Sequence, residues 1–345
     1  MTISPPATAP AIGRLQAPFP WFGGKSRVAP IVWDRFGNVP NYVEPFAGSL
    51  AVLLGRPHAP KVETVNDLDG FICNFWRAIA HDPAKVAHYA DWPVNENDLH
   101  ARHAWLLQQR PMLTTWLEGD PDFYHAKIAG WWVWGLCCWI GSGWCSGSGP
   151  WQLRDGQLVH LGTGGQGVHR KLVHLGGGRG VHRKLVHLGD AGRGVHRGGG
   201  DALLAWCVAL ADRLQDVRVC CGDWTRVCGP SVTEKHGMTA IFLDPPYGDE
   251  ADRQDDVYRL DSGALARDVR RWALEQGDHP LLRVALCGYA GEHDEMTAAG
   301  WTCVGWKAQG GYGSQGEDRG RDNCTRERIW FSPACLDPQP SLFDR

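Results

Sequence analysis

The chain has 345 residues, of which 43% are hydrophobic, and its formal net charge is −3. This length favours one large α/β domain with a smaller inserted or appended part. The slightly acidic balance gives no support for nucleic-acid binding as an average, so such binding would need a local basic segment.

Membrane, secreted and zinc-bound classes are disfavoured. The apolar run WWVWGLCCWIG at 131–141 is too short and too glycine-bounded to span a bilayer. Residues 1–17 lack a basic start followed by an apolar stretch, so we expect a disordered leader rather than a secretory signal. The twelve cysteines lie largely in apolar segments and form no CxxC pair. They therefore indicate buried, reduced thiols in a cytoplasmic protein, and no metal site is expected.

The first informative block is PFPWFGGKSRV, residues 18–28. Gly23 and Gly24 allow the backbone to approach a ligand closely, because glycine has no side chain in the way. Lys25 offers a cation to a carboxylate, and Trp21 offers a flat face for stacking. The block predicts one wall of a ligand site.

The second block is NYVEPFAGSLAVLL, residues 41–54. It predicts a strand ending at Val43, a turn beginning at Glu44, and an apolar helix opened by Gly48 and Ser49. A strand, a tight turn of small residues and a helix start form a ligand cradle, because backbone N–H groups point outward there. The block is neither GxGxxG nor GxxxxGK[ST], so nicotinamide cofactors and nucleoside triphosphates are disfavoured.

A second strand is predicted in KVETVNDLDG, residues 61–70, and it ends at Asp67. An acidic residue at the tip of the second strand commonly hydrogen-bonds ribose hydroxyls. The alternative is that Asp67 caps the helix that follows. Because the cradle precedes this strand, we favour the contact with ribose.

Residues 81–150 are predicted to be mainly helical, and 151–200 form a repeat. The sequence LVHLG recurs at 158–162, 172–176 and 185–189, and GVHR recurs at 167–170, 180–183 and 194–197. The period is too short for the common helical solenoids. Short β-branched segments between glycines favour strands or an extended, glycine-hinged loop.

This repeat is strongly basic, with eight Arg or Lys residues against two Asp, a net charge of +6 in a chain of net −3. Such asymmetry favours a basic arm that contacts DNA phosphates. The alternative is a low-complexity insertion with solvated charges. The six histidines do not indicate a metal site, because their neighbours are cationic. The residues expected to contact DNA are Arg170, Lys171, Arg183, Lys184, Arg193 and Arg197.

Residues 201–332 return to alternating helix and strand. VRVCCGDWTRV predicts a strand followed by Asp223 and Trp224. An acid beside an aromatic ring can accept a hydrogen bond from an adenine amine and pack on its ring. The alternatives are a turn residue at Asp223 and a core residue at Trp224.

The most informative segment is TAIFLDPPYGD, residues 239–249. Its apolar residues predict the end of a buried parallel strand, and the prolines force the chain out of the sheet as a stiff loop. At that edge the loop presents the Asp244 carboxylate, the Pro245 carbonyl and the Tyr247 ring. Ligands of open α/β sheets bind at this edge. Two acceptors beside a ring suit a flat heterocycle that carries an exocyclic amine.

Taken in this order, the blocks resemble the Dam-like, gamma-class family of adenine-specific DNA methyltransferases. The resemblance runs from about Pro18 to Pro333, and NCTRERIWFSP at 323–333 resembles the closing strand of the family. It implies S-adenosylmethionine as methyl donor, double-stranded DNA as partner, and a restriction–modification or phage-associated context. Leu50 departs from the pattern, since many members have a small residue there, and a looser cofactor turn is therefore expected.

The resemblance also implies a fold and a domain organisation. The expected fold is α/β, with a Rossmann-like S-adenosylmethionine-dependent methyltransferase sheet formed by 18–80 and 201–333. Residues 81–200 would be a helical and glycine-rich target-recognition insertion, and 334–345 a tail. Residues implied to bind cofactor are Trp21, Gly24, Lys25, Glu44, Phe46, Gly48, Ser49, Asp67, Asp223 and Trp224. Residues implied to be catalytic are Asp244, Pro245, Pro246 and Tyr247.

Under this interpretation the target base leaves the duplex, Tyr247 stacks on it, and Asp244 and the Pro245 carbonyl accept its amine protons. Methyl transfer is then direct, so no cysteine needs to act as a nucleophile. Three alternatives remain. The chain can be a methyltransferase for the exocyclic amine of cytosine, a non-catalytic DNA-binding protein descended from a methyltransferase, or an RNA methyltransferase.

Overall fold

The computed structural model describes residues 15–19, 21, 24–120, 122–139, 144–145, 151–154, 157–160, 200–247, 257–306 and 326–338. Most of the predicted leader, residues 161–199 of the basic repeat, and the end of the predicted tail lie outside these residues. All six residues expected to contact DNA phosphates lie in 161–199.

The described strands are β1 (Asn41–Glu44), β2 (Val62–Asp67), β3 (Trp151–Arg154), β4 (Gln157–His160), β5 (Val217–Cys221), β6 (Thr239–Leu243), β7 (Leu282–Tyr289), β8 (Thr302–Gly305) and β9 (Glu327–Phe331). The described helices are α1 (Ala29–Phe36), α2 (Ala51–Leu54), α3 (Gly70–His81), α4 (Pro83–Ala90), α5 (Glu96–Gly119), α6 (Ala126–Cys138), α7 (Gly200–Leu214), α8 (Val257–Gln276) and α9 (Asp294–Ala298). Short 3₁₀ helices cover Trp224–Val227 and Glu234–His236.

Seven of the described strands form one sheet, in the order β5-β2-β1-β6-β7-β9-β8. The first five run parallel, and β9 is antiparallel to both of its neighbours. The chain moves outward from β1 through β2 to β5, and on the other side from β6 to β7. The strand order therefore reverses between β1 and β6, where ligands of such sheets bind. The prediction of a mixed α/β fold is confirmed.

Side chains of the central strands alternate between the two faces of the sheet, as strand geometry requires. Ala240 and Phe242 of β6 join a large apolar core, whereas Ile241 and Leu243 join a second one. The first core includes residues of α1, α3, α6 and α7, and the second includes residues of α8. All five residues of β6 are buried, in agreement with its prediction as a buried parallel strand.

Most of the described part of 81–139 is helical, as predicted from the sequence. Helix α6 packs against α3, α4 and α5, and its apolar residues belong to the same core as those of α3. Arg102 of α5 lies over the rings of Trp92, Trp131 and Trp134 at 5.1, 4.9 and 4.3 Å, so the tryptophans of this region cover a buried guanidinium. The division into a catalytic domain and an insertion stays a prediction.

Strands β3 and β4 form a separate two-stranded antiparallel sheet, and β4 contains Leu158, Val159 and His160, the described residues of the first LVHLG unit. The repeat was predicted to form either strands or an extended loop, and the described residues of this first unit form a strand. Among the described residues, all eleven cysteines are free thiols, no metal-ligating cluster occurs, and no helix is long and apolar enough to cross a membrane.

Candidate active site

A cavity of about 590 Å³ opens at the carboxyl ends of β1, β2 and β6, where the strand order reverses. Every residue predicted to be catalytic lines it, and so does every predicted cofactor residue except Gly24, which precedes Lys25 in the chain. Blocks that are more than two hundred residues apart in sequence therefore meet in one place. The shared lining residues are Trp21, Lys25, Glu44, Phe46, Gly48, Ser49, Asp67, Asp223, Trp224, Asp244, Pro245, Pro246 and Tyr247.

Glu44 ends β1 and is buried on the cavity wall. Its Oε2 accepts a hydrogen bond of 2.9 Å from the Tyr42 hydroxyl. Burial raises the pKa of Glu44 to about 8, although the hydrogen bond from Tyr42 opposes the shift. The carboxyl group is therefore ready to exchange a proton near neutral pH.

The turn after β1 requires a residue without a side chain at position 48. Gly48 has φ +44°, and a Cβ built on it would lie 2.5 Å from Trp21 Nε1. Trp21 thus closes directly over the backbone of the turn. The two glycine-dependent blocks predicted from the sequence contact each other at this point.

Leu50, which departs from the pattern of the resembled family, lies in the same turn. It adopts a left-handed conformation with φ +53°, is fully buried, and its amide donates to the Ala47 carbonyl at 2.8 Å. The larger side chain is accommodated by insertion into the core, and the looseness of the turn stays a prediction. Helix α2 begins just after it.

Asp67 ends β2, and its side chain holds the turn after β1 by accepting a hydrogen bond from a backbone amide of that turn. Its Oδ2 accepts from the Gly48 amide at 3.0 Å, and its Oδ1 accepts from the Asp69 amide at 2.9 Å. Burial raises the pKa of Asp67 to about 6, against the effect of these two amide donors. The residue that caps α3 is Asp69, whose side chain accepts from the Phe71 amide at 2.8 Å. The alternative role of Asp67 as helix cap is therefore wrong.

Asn66, beside Asp67, contributes a polar atom that the sequence analysis did not single out. Its Nδ2 donates to the carbonyls of Pro45 and Gly222 at 3.1 and 2.9 Å. Its Oδ1 is buried and has no hydrogen-bond partner among the described residues. Because Asn66 lines the cavity, this oxygen suits a ligand N–H group.

Asp223 and Trp224 have the turn and core positions that the sequence left open as alternatives, and their contact with adenine stays a prediction. Asp223 caps the 3₁₀ helix, accepting from the Thr225 amide at 2.9 Å, while Trp224 is buried and stacks on Phe46 with ring centroids 6.2 Å apart. Both residues also line the cavity. A turn residue and a core residue thus form the far wall of the site.

Four polar side chains converge where β6 leaves the sheet. Lys25 Nζ lies 3.0 Å from Asp244 Oδ1 and 3.9 Å from Glu327 Oε2. The Tyr247 hydroxyl lies 3.0 Å from the same Asp244 oxygen and 3.1 Å from Glu327 Oε2. We call Lys25, Asp244, Tyr247 and Glu327 the polar cluster.

Charge states in the polar cluster follow from its burial. Burial alone would favour a neutral Lys25, but the carboxylates of Asp244 and Glu327 raise its pKa above the ordinary value. Burial, reinforced by the same two acids, raises the pKa of Tyr247 well above its usual range. The lysine therefore stays charged and the phenol stays protonated at neutral pH.

Two further residues of this region were missed by the sequence analysis. Glu327 begins β9, and only its place in a predicted closing strand was visible. Tyr289 ends β7 and packs edge-on against Tyr247, with ring centroids 4.7 Å apart. The signal for Tyr289 was its position at the carboxyl end of a buried strand, but no motif surrounds it.

Residues 21–106 match the family model described as D12 class N6 adenine-specific DNA methyltransferase. The matched segment contains Trp21, Lys25, Glu44 and Asp67, and it ends within α5, before the DPPY segment. The match supports an adenine-specific DNA methyltransferase enzyme, in agreement with the predicted activity. No curated protein sequence matches the chain.

Proposed function

We propose that this protein transfers a methyl group from S-adenosylmethionine to the exocyclic amine of adenine in DNA, as a Dam-like, gamma-class methyltransferase. The single observation that carries the proposal is the meeting of the DPPY segment with Lys25, Glu44 and Asp67 in one cavity. The family match covers residues 21–106, which include Lys25, Glu44 and Asp67, and these three residues line the same cavity as Asp244.

The cavity suits S-adenosylmethionine in size and chemistry. Its volume of about 590 Å³ lies within the usual range for ligand sites, roughly 300–1,000 Å³. The carboxylates of Asp67 and Asp244 complement a sulfonium cation, and the unpaired Asn66 Oδ1 suits an N–H donor of the ligand. When bound, this molecule supplies an electrophilic methyl group whose C–S bond breaks as the N–C bond forms, the sulfur keeping the electron pair.

The residues expected to hold the cofactor follow from their positions. We assign the methionine end to Trp21, Gly24 and Lys25, with the turn that contains Phe46, Gly48 and Ser49 beneath it. Asp67 would hold the ribose. Each of its oxygens accepts one backbone N–H, and a carboxylate has about four acceptor sites in total, so capacity remains. Asp223 and Trp224 would hold the adenine of the cofactor.

Asp244 is assigned as the acceptor for the target amine. Lys25 and Tyr247 both contact its Oδ1, and Oδ2 has no polar partner among the described residues. Oδ2 would accept one amine proton and the Pro245 carbonyl the other, so the nitrogen lone pair turns toward the methyl donor. After transfer, the nitrogen releases one proton to Asp244, which passes it to solvent.

The substrate would be duplex DNA with the target base flipped out, since an exocyclic amine inside the stack is not accessible. Tyr247 would stack on the extruded base. The basic side chains of the repeat, at positions 170, 171, 183, 184, 193 and 197, would contact phosphates and supply affinity that does not depend on sequence.

Nucleoside analysis tests this proposal. The purified protein is incubated with isotope-labelled S-adenosylmethionine and unmethylated duplex DNA of mixed sequence, and the digested nucleosides are identified by mass spectrometry. We expect labelled N6-methyldeoxyadenosine, its loss in Asp244→Ala, and its retention in Asp294→Ala, a control that removes an exposed acid.

Other results would identify the alternatives. Labelled N4-methyldeoxycytidine would mean that the target is cytosine, and label in RNA but not DNA would mean an RNA methyltransferase. Cofactor binding without any labelled nucleoside, across DNA of many sequences, would mean a non-catalytic DNA-binding protein.

A further inference from the structure

Glu327 is a buried acid that the proposed mechanism does not use. It begins β9, the antiparallel strand, and is only 5% exposed. Its Oε2 lies 3.1 Å from the Tyr247 hydroxyl, which belongs to a different strand-end loop 80 residues earlier. Burial raises the pKa of Glu327 above its ordinary value, and Lys25 opposes that shift.

In the polar cluster, two carboxylate oxygens compete for the single proton of the Tyr247 hydroxyl. The Tyr247 hydroxyl carries one proton, and two carboxylate oxygens lie within hydrogen-bond distance of it, Asp244 Oδ1 at 3.0 Å and Glu327 Oε2 at 3.1 Å. Lys25 is closer to Asp244 than to Glu327, at 3.0 against 3.9 Å. Asp244 therefore has a second donor within hydrogen-bond distance, whereas Lys25 lies too far from Glu327 to donate a hydrogen bond and the phenol is the nearer of the two donors.

From this geometry we propose that Glu327 is a positioning residue for methyl transfer, which accepts the Tyr247 hydroxyl proton and thereby fixes the tyrosine ring and leaves Asp244 to the target amine. The inference rests on the proposed function. With the phenol proton directed to Glu327, Asp244 is held through Oδ1 by Lys25, and its acceptor capacity is available to the amine.

The same arrangement holds the side chain of Tyr247 at two points. The hydroxyl is tied to β9 through Glu327, while the ring edge meets Tyr289 of β7 at a centroid distance of 4.7 Å. Two neighbouring strands thus fix both ends of the ring before substrate arrives. A side chain fixed in this way loses little rotamer freedom when a base stacks on it, so less binding free energy is lost on stacking.

A double-mutant cycle between Glu327→Gln and Tyr247→Phe tests the inference in the full-length protein. Tyr247→Phe removes the donor, whereas Glu327→Gln removes the negative charge of the acceptor but keeps an amide oxygen in its place, and both changes keep the shape. At saturating cofactor and DNA we expect Tyr247→Phe to lower the single-turnover rate by about tenfold or more, the usual effect of a lost hydrogen bond to a charged group. Glu327→Gln should lower the same rate by a smaller factor, because a neutral acceptor holds the hydroxyl less strongly than a carboxylate does. We expect the double variant to be no slower than Tyr247→Phe alone, because Glu327 acts through the hydroxyl.

The affinity for S-adenosylmethionine, measured by calorimetry, should change less than twofold in Glu327→Gln, since its effect lies in the transfer step. Glu63→Gln is the matched control. Glu63 is a buried acid paired with Arg56 and Arg213 at 2.9 and 2.6 Å, and it does not line the cavity. This change should lower the unfolding midpoint but leave the rate per folded enzyme unchanged.

Two results would overturn the inference. Additive rate losses in the double variant would show that Glu327 does not act through Tyr247. A loss in Glu327→Gln that scales with lost folded protein, as in the Glu63→Gln control, would show a structural role only. These failures differ from failure of the proposed function, in which the wild-type protein itself transfers no methyl group.

Discussion

The Asp67 carboxylate accepts a hydrogen bond from the Gly48 amide at 3.0 Å, and this contact ties the end of β2 to the turn after β1. The same turn is covered from the other side by Trp21. The wall proposed to hold the cofactor is therefore one unit, built from three separate blocks. Gly48 takes part in both contacts, so a change at this residue should disturb the whole wall.

Gly48→Ala should weaken both the fold and cofactor binding. The residue has φ +44°, and the new methyl group would lie 2.5 Å from Trp21 Nε1, so Trp21 must move. The left-handed conformation alone costs roughly 1–2 kcal/mol for a residue with a side chain. Urea unfolding and calorimetry with S-adenosylmethionine measure the two effects. Gly119→Ala, where a Cβ meets nothing within 4 Å, is the control. Unchanged cofactor affinity in Gly48→Ala would separate Trp21 from the cofactor site.

Tyr247→Ala should abolish methyl transfer and leave cofactor binding largely intact. The change removes the ring that is proposed to stack on the flipped base, a contact worth about 1–3 kcal/mol in single-strand platforms. Tyr247→Phe keeps the ring, so it should bind substrate DNA more tightly than Tyr247→Ala. Single-turnover rates and DNA affinity at saturating cofactor provide the comparison. Equal DNA affinity of the two variants would exclude stacking on this ring.

Lys25→Ala should weaken cofactor binding more than DNA binding, because its proposed partner in the cofactor is a carboxylate. Loss of one charge-assisted contact should cost roughly 1.5–3 kcal/mol, or about tenfold or more in affinity. The transfer rate should also fall at saturating cofactor, since Asp244 loses an ion pair of 3.0 Å. Calorimetry and single-turnover kinetics separate the two effects, and Lys85→Ala, at an exposed lysine, is the control. Normal cofactor affinity with a slow rate would assign Lys25 to Asp244 alone.

Glu44 should make the protein less stable as pH rises from about 4.5 to about 8. Burial raises its folded-state pKa from 4.5 to about 8, so the folded protein holds this proton more tightly than the unfolded chain does. The resulting stabilisation is fully present below the unfolded pKa and is lost as pH rises through the folded pKa. Glu44→Gln keeps an acceptor for the Tyr42 hydroxyl but cannot ionise.

Urea unfolding of the wild type and Glu44→Gln at several pH values across this window measures the effect. We expect the stability of the variant relative to the wild type to increase steadily between about pH 4.5 and pH 8, and to be constant above it. A difference that does not change with pH would mean that Glu44 ionises normally in the folded protein.

Neutralising Arg170, Lys171, Arg183 and Lys184 should weaken binding to all duplex sequences about equally and leave cofactor binding unchanged. Each lost phosphate contact lowers the slope of log affinity against log salt by roughly 0.9. Neutralising the exposed residues Lys61, Lys85, Arg267 and Arg271 is the control for a change in net charge. An unchanged slope would indicate a solvated insertion, whereas selective loss at one sequence would mean contacts to base edges.

The ends of the strands at the site could be predicted from local sequence alone. The apolar run before Asp244, the glycines around position 48 and the acid at Asp67 are local signals, since strand ends and tight turns depend on neighbouring residues. The order of these blocks also indicated that they line one cavity, and the structure brings them together.

Which side chains meet at the site could not be predicted in this way, because it depends on how distant segments pack. That Lys25 pairs with Asp244, that Asp69 rather than Asp67 caps α3, and that Leu50 inserts into the core follow from packing between distant segments. Glu327 is the clearest case, because its place beside Tyr247 depends on β9 pairing with β7. The order and register of distant strands are set by the burial of whole faces of the sheet, which no local pattern around Glu327 specifies.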